Sequence, residues 1–80
     1  MTVYLCKVWD SDLGEWIDRG VFSTAAKALT SGWQYIADVC DSAQLIDWEF
    51  ENNASTDWYQ GANGHFYTRV VTQTEIDRSL

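Results

Sequence analysis

The sequence predicts a small α+β domain with the element order β-β-α-β-β-β, in which one helix packs on one face of a mainly antiparallel sheet. Three observations lead to this prediction. Two runs of β-forming residues, separated by a polar turn, begin the chain. Apolar residues then recur at helical spacing over residues 24–39. Three more β-forming runs follow, and a lone helix beside five strands buries its apolar side against their sheet.

Four of the five predicted strands pair as two hairpins, and they occupy residues 2–9, 15–22, 57–60 and 65–71. Gly20 interrupts the second strand, which indicates a bulge or a close approach of another backbone. Asn63-Gly64 lies between the last two runs, and this dipeptide is a strong hairpin signal because both residues tolerate the backbone angles of a tight turn.

The remaining strand, residues 45–51, shows the clearest alternation in the chain. The apolar side chains predicted to face the core are Ile46, Trp48 and Phe50. The acidic side chains predicted to face solvent are Asp47, Glu49 and Glu51. A polar loop at residues 52–56 is predicted to follow this half-buried strand.

The helix is predicted over residues 24–39, with Ser23 as its N-cap. Its buried face is predicted from helical spacing and consists of Ala26, Leu29, Trp33, Ile36, Ala37 and Cys40. Gly32 is a poor helix former, and we expect it to permit close packing between the helix and the sheet.

Size and charge exclude several classes of protein. The chain has 80 residues, which fits a single domain over residues 1–80. Its net charge is -7, so phosphate would repel it and direct nucleic-acid binding is not expected. No window holds the ~18 apolar residues of a membrane span, and the N-terminus does not resemble a signal peptide. We therefore expect a cytoplasmic protein in which Cys6 and Cys40 are reduced.

The sequence offers no convincing catalytic or metal site. His65 is the only histidine, and its spacing from Cys6, Cys40 and Ser23 matches no known nucleophile arrangement. The acidic turn at residues 10–15 fails the calcium-loop pattern, because Gly14 stands where a third ligand is required. Two cysteines and one histidine are too scattered for zinc. We therefore expect no cofactor and a protein that is not an enzyme; the alternative is a small enzyme based on His65.

The negative charge is concentrated in the middle of the chain. No Lys or Arg occurs between Lys27 and Arg69, a segment that holds six acidic residues. Acidic side chains beside aromatic ones suit a basic surface of another protein, because charge steers the encounter and aromatic rings anchor it. The candidate partner-binding residues are Asp38, Asp41, Asp47, Glu49, Glu51, Asp57, Trp58 and Tyr59.

Two other functions stay open at this point. The acidic side chains could imitate DNA and inhibit a nuclease or another DNA-binding protein. However, Asp47, Glu49 and Glu51 span only about 13–14 Å of strand, over which duplex DNA presents about eight charges. The chain could instead be a structural component, or form a homodimer or larger homo-oligomer.

A pattern of structural residues adds one expectation. The residues that carry it are Val3-Tyr4-Leu5, Gly20-Val21-Phe22-Ser23-Thr24, Ala25, Ala26, Ala28 and the acidic ending Thr74-Glu75-Ile76-Asp77. The chain thereby resembles a group of small uncharacterised proteins of bacteriophages and bacteria that share a hairpin-plus-helix start. The resemblance implies a phage or mobile-element accessory protein, and it brings no catalytic motif with it. The stretch around Trp58-Tyr59 departs from the pattern.

Overall fold

The five strands form one antiparallel sheet with one helix packed on it, as the sequence predicts. The structure is a computed structural model and describes residues 1–76. The elements along the chain are β1 (Thr2–Asp10), β2 (Glu15–Phe22), α1 (Ala25–Val39), β3 (Gln44–Glu51), β4 (Ala54–Gln60) and β5 (Phe66–Glu75). Their order across the sheet is β2-β1-β5-β4-β3, and α1 packs on β1, β5 and β2. The helix therefore carries the chain from one edge strand, β2, to the other, β3.

Both predicted hairpins are confirmed. In the first, the pairing of β1 with β2 shifts register between Cys6 and Lys7, and Gly20 has a φ of 105°. This is the predicted bulge, at a backbone angle that favours glycine. In the second, the loop between β4 and β5 places Gly64 at a φ of 83°. The Asn63 side chain stabilises that loop by accepting a hydrogen bond from the His65 backbone N–H at 3.0 Å.

The loop between β3 and β4 is shorter than predicted. Only Asn52 and Asn53 form the turn, with φ values of 53° and 61°, and β4 already begins at Ala54. Two consecutive positive φ angles are typical of a tight hairpin turn whose twist matches the strands, and asparagine tolerates them. The prediction of a loop over residues 52–56 is therefore wrong. At the other end, β5 extends to Glu75, and Asp77 of the acidic ending lies outside the described residues.

Helix α1 begins one residue later than predicted. Thr24 is the N-cap instead of Ser23, and its hydroxyl accepts a hydrogen bond from the Lys27 N–H at 3.2 Å. The helical residues that are fully buried are Ala28, Gly32 and Ile36. The buried face of the helix is thus rotated relative to the predicted one, and Ala26 and Trp33 are exposed. The reason is that small residues, which contribute little to an apolar pattern, lie closest to the sheet.

Gly32 marks the closest approach of the helix to the sheet. A β-carbon built on it would lie 2.7 Å from Arg69 Cδ and 2.9 Å from Cys6 Sγ, closer than carbon and sulfur atoms pack. The expectation of close packing at Gly32 is therefore confirmed. Cys6, beside Gly32, and Cys40, which follows α1, are both buried, and within the described residues they are not joined by a disulfide.

A buried ion pair fastens the helix-covered strands to β4. Arg69 on β5 donates from Nη2 to Asp57 Oδ2 on β4 at 2.6 Å and from Nη1 to the Leu29 carbonyl of α1 at 3.0 Å. Its guanidinium also lies 5.5 Å from the centre of the Tyr59 ring. One side chain thus joins three elements, and it does so at the border of the region that the helix covers.

Candidate functional site

Strand β3 is the most exposed element of the molecule. Within residues 1–76 it pairs with β4 alone, and all eight of its residues are exposed. Trp48 and Phe50 are each 67% exposed, and Ile46 is exposed as well. The prediction of a half-buried strand with these three side chains in the core is therefore wrong, although the strand itself forms where predicted.

The physical reason is the position of the helix. Helix α1 packs on β1, β5 and β2, and it does not extend over β3. Toward the bare side of the sheet, the ring of Trp33 lies 5.4 Å from that of Tyr59 on β4. Beyond that pair, the face of the sheet on the helix side carries no second layer among the described residues. Alternation predicts which side chains share a face but not whether anything covers that face.

A bulge decides which side chains of β3 share that uncovered face. The pairing with β4 shifts register between Leu45 and Asp47, so that Leu45 pairs with Tyr59, whereas Trp48 pairs with Asp57 and Phe50 with Ser55. Paired residues of antiparallel strands point to the same side of a sheet. We define the apolar face of β3 as Leu45, Trp48 and Phe50, which lie on the helix side. Ile46 falls in the bulge and is separated from them.

The apolar face lies beside a small hollow at the start of α1. The hollow has a volume of about 160 Å³ and is lined by residues that include Ala25, Leu29, Phe50 and Val71. Ser55 of β4 also lines it. The exposed ring of Phe50 therefore adjoins a small hollow beside the start of α1.

The acidic face of β3, defined as Asp47, Glu49 and Glu51, points the other way. Their partners on β4 are Trp58, Thr56 and Ala54 respectively. All three carboxylates are exposed, and no cationic group within residues 1–76 forms an ion pair with them. Asp47 Oδ1 accepts a hydrogen bond from the neighbouring Trp48 N–H at 2.8 Å. The strand therefore presents uncompensated negative charge on one face and aromatic surface on the other.

Three of the eight predicted partner-binding residues lie elsewhere than expected. Asp57 is only 8% exposed, and Arg69 neutralises it. Tyr59 is 7% exposed and packs between Trp33 and Arg69. Trp58 is half-buried. The expectation that Asp57 and Tyr59 are exposed is wrong, because β4 is an interior strand and both side chains point toward the core.

The two remaining acidic candidates lie at the end of the helix. Asp38 is in the last turn of α1 and Asp41 follows its C-cap, and both are exposed. The structure therefore separates the six acidic residues into three groups. One is buried in an ion pair with Arg69, two lie at the end of the helix, and three lie on one face of β3.

The sequence analysis did not identify the aromatic half of the site. The abundance of large rings in a small chain predicted only that some would lie outside the core.

Among the described residues, His65 forms no hydrogen bond with the potential nucleophiles Cys6, Cys40 and Ser23. His65 Nε2 lies 3.2 Å from Asp12 Oδ1 at an exposed turn, rather than beside Cys6, Cys40 or Ser23. Burial raises the pKa of the Cys6 thiol, although the nearby Arg69 and Arg19 act to lower it. A thiol nucleophile requires the opposite shift, because the thiolate is the reactive form.

In the acidic turn after β1, the carboxylate of Asp10 is engaged in hydrogen bonds within the protein. The buried Asp10 carboxylate accepts bonds from the Asp12 N–H at 2.9 Å and from the Tyr35 hydroxyl at 2.6 Å. Within residues 1–76, no group of three or more His, Cys, Asp or Glu side chains is arranged to hold a metal ion. In the same part of the chain, α1 is too short and too polar to cross a membrane.

Comparison of the chain with protein-family models, with curated proteins and with solved structures gives no match.

Proposed function

We propose that this chain is a small non-enzymatic protein-binding module whose binding element is β3. The observation that carries the proposal is the exposure of this edge strand along its whole length, with aromatic rings on one face and unpaired carboxylates on the other. Single exposed apolar side chains are ordinary on protein surfaces, but a contiguous set beside unpaired backbone is typical of an interaction site.

The exposed aromatic surface is large enough to matter for binding. Aromatic side chains present about 150–250 Å² each, so Trp48 and Phe50 together leave roughly 200–300 Å² of ring surface uncovered. Covering that area contributes roughly 5–8 kcal/mol before the costs of association. Tryptophan is also the residue type most enriched among binding hot spots. The apolar face therefore supports the role of anchor.

The acidic face supports a basic partner. Five acidic side chains, Asp38, Asp41, Asp47, Glu49 and Glu51, are exposed, and the segment between Lys27 and Arg69 supplies no positive charge to offset them. Such a field accelerates encounter with a positively charged surface and repels a negative one. Imitation of DNA is less well supported, because Asp57 is neutralised and three carboxylates on one strand fall short of the charge density of a duplex.

The two buried free thiols fit a reducing compartment, and we place the protein in the cytoplasm. The resemblance to small phage and bacterial accessory proteins supports a role as a phage-encoded modulator or inhibitor of a host protein. In that role the chain acts by covering part of a host protein, and it needs no catalytic group of its own.

Affinity capture from a bacterial lysate, at low and at moderate salt, tests the proposal with three forms of the chain. We expect the unaltered chain to retain a partner that Trp48→Ser/Phe50→Ser loses. The matched control is Trp16→Ser/Val21→Ser, which removes exposed apolar side chains from the other edge strand and should retain the partner. Absence of any partner under both conditions, or equal capture by all three forms, contradicts the proposal. Release of the partner by added duplex DNA would favour the DNA-mimic alternative.

A further inference from the structure

We infer that the partner binds by adding an extended strand to the free edge of β3, and that this strand alternates basic with apolar residues. The inference rests on the proposed function and specifies the chemistry of the partner. It makes the bound segment a sixth strand of the sheet, next to β3 in the order β2-β1-β5-β4-β3. Binding by strand addition uses main-chain hydrogen bonds for affinity and alternate side chains for specificity.

The edge of β3 has the length and the regularity that strand addition needs. Its eight residues extend over about 27 Å. Among the described residues, no strand pairs with the side of β3 that faces away from β4. After the bulge, the pairing with β4 runs in uninterrupted register from Asp47 to Glu51. A straight stretch of exposed edge is a template for another strand, because its outward N–H and C=O groups lack partners on a neighbouring strand. The Trp48 N–H donates to Asp47 Oδ1, so an added strand would have to displace this side-chain contact wherever it pairs with that N–H.

The two faces of β3 specify the side chains of the added strand. Directly opposed residues on neighbouring strands have β-carbons about 4.5–5.5 Å apart. Basic side chains at every second position would therefore lie opposite Asp47, Glu49 and Glu51 on one face. The intervening positions would lie on the helix side, where apolar side chains would cover Trp48 and Phe50 and could enter the hollow between Phe50 and the start of α1.

Charge argues against a second copy of this chain as the occupant. An antiparallel pair of β3 strands would place the acidic face of one copy beside the acidic face of the other. Like charges directly opposite each other destabilise a sheet, and neither copy carries a basic residue on this strand.

The other edge of the sheet lacks these properties. Strand β2 carries the Gly20 bulge, which interrupts the regular edge. Its Arg19 donates to the Ser31 carbonyl of α1 at 3.1 Å, so the helix already engages this strand. Bulges and covering elements are ways in which natural sheets protect their edges from further pairing. Strand β3 has such a bulge only at its start.

A synthetic peptide provides the probe. It has about nine residues, alternates Lys with Val along its length and is blocked at both termini, so that it can pair with all of β3. Binding is followed by backbone chemical shifts of the isotope-labelled protein. Two further peptides carry N-methyl groups, one on the Lys nitrogens and one on the Val nitrogens. Because the amides of alternate residues point to the same edge of a strand, only one of these two sets can face β3.

We expect the alternating peptide to perturb β3 and to bind at least tenfold more tightly than a peptide of the same composition with all Lys residues grouped together. One N-methylated peptide should lose binding while the other keeps it. Asp47→Lys/Glu49→Lys/Glu51→Lys should weaken binding by about tenfold or more, whereas Asp38→Lys/Asp41→Lys should change it much less.

Three outcomes would overturn strand addition. They are equal binding of the alternating and grouped peptides, equal effects of the two N-methyl sets, and dimerisation of the free protein through β3. If the grouped peptide binds as well while Trp48→Ser/Phe50→Ser still loses its partner from the lysate, the protein-binding function stands and strand addition fails. If the alternating peptide binds β3 but no protein is captured, strand addition at this edge stands and the proposed function fails.

Discussion

Strand β1, under the helix, and strand β3, at the bare edge, each direct alternate side chains to opposite faces of the sheet, but only β1 buries one of its faces. On β1, Cys6, Val8 and Asp10 are buried, whereas Leu5 and Lys7, at alternate positions, are exposed. On β3, apolar and acidic side chains alternate just as clearly, yet every residue is exposed. The difference is the helix, which packs on β1, β5 and β2 and leaves β3 bare. Alternation of side-chain types thus predicts which residues share a face of a strand, whereas burial of that face depends on whether a second layer packs on it.

The largest loss of stability is expected where the part of the sheet covered by the helix meets the bare part. Asp57→Ala removes the carboxylate that pairs with Arg69, whose side chain is only 13% exposed. Removal of one partner of a buried ion pair typically costs about 3–5 kcal/mol, because the other charge stays buried without compensation. Urea unfolding would measure the loss. Asp47→Ala is the matched control on the bare side, and its free energy of unfolding should change by no more than about 0.5 kcal/mol.

The second prediction compares the cost in stability of truncating a side chain in the core under the helix with that of truncating one on the apolar face of β3. Ile36 is fully buried in the cluster with Val8 and Tyr67, so Ile36→Ala should lower the free energy of unfolding by about 2–5 kcal/mol. Phe50→Ala removes a larger side chain from a position that is mostly in water. Its cost should stay below about 1 kcal/mol. Similar losses for the two variants would show that something covers β3 in the free protein.

The smallest effect is the pH dependence of stability that Tyr35 causes on the side of the sheet covered by the helix. Burial, and then the hydrogen bond to Asp10, raises the pKa of Tyr35 to about 12. The folded state therefore holds this proton more tightly than the unfolded state, whose tyrosine pKa is near 10, so stability falls as pH rises from about 10 to about 12. Thermal unfolding of Tyr35→Phe should show a shallower decline over this range. Tyr59 and Tyr67, whose pKa values are also raised, still contribute in the variant, so the decline should become shallower without disappearing. An unchanged slope would contradict the role of Tyr35.

The sequence predicted much of the fold because the signals involved are local. Residue type and spacing placed all six elements, and Gly20 and Gly32 marked a bulge and a close approach that the structure confirms. The order of strands across the sheet was not predictable, since it depends on pairing between residues far apart in the chain. The helix face was rotated because Ala28 and Gly32, which carry little apolar signal, make the closest contacts.

The candidate site was predictable only in part. The acidic half of β3 was identified from charge segregation, which needs no knowledge of packing. The aromatic half was assigned to the core, because alternation cannot reveal that α1 stops short of β3. Asp57 and Tyr59 were expected at the surface, because the position of β4 inside the sheet was not known from the sequence. In both cases the missing information was which strand forms the edge.

Residue-by-residue amide hydrogen exchange tests the central claim, that β3 is a bare edge which a partner strand covers. In the free protein, we expect slow exchange along β1 and β5, which pair on both sides, and fast exchange at those β3 amides that face away from β4. Trp48 is the exception, because Asp47 engages its N–H. Addition of the alternating Lys-Val peptide should slow the exposed β3 amides. Uniform protection along β3 in the free protein, or no change on addition of the peptide, would contradict the account.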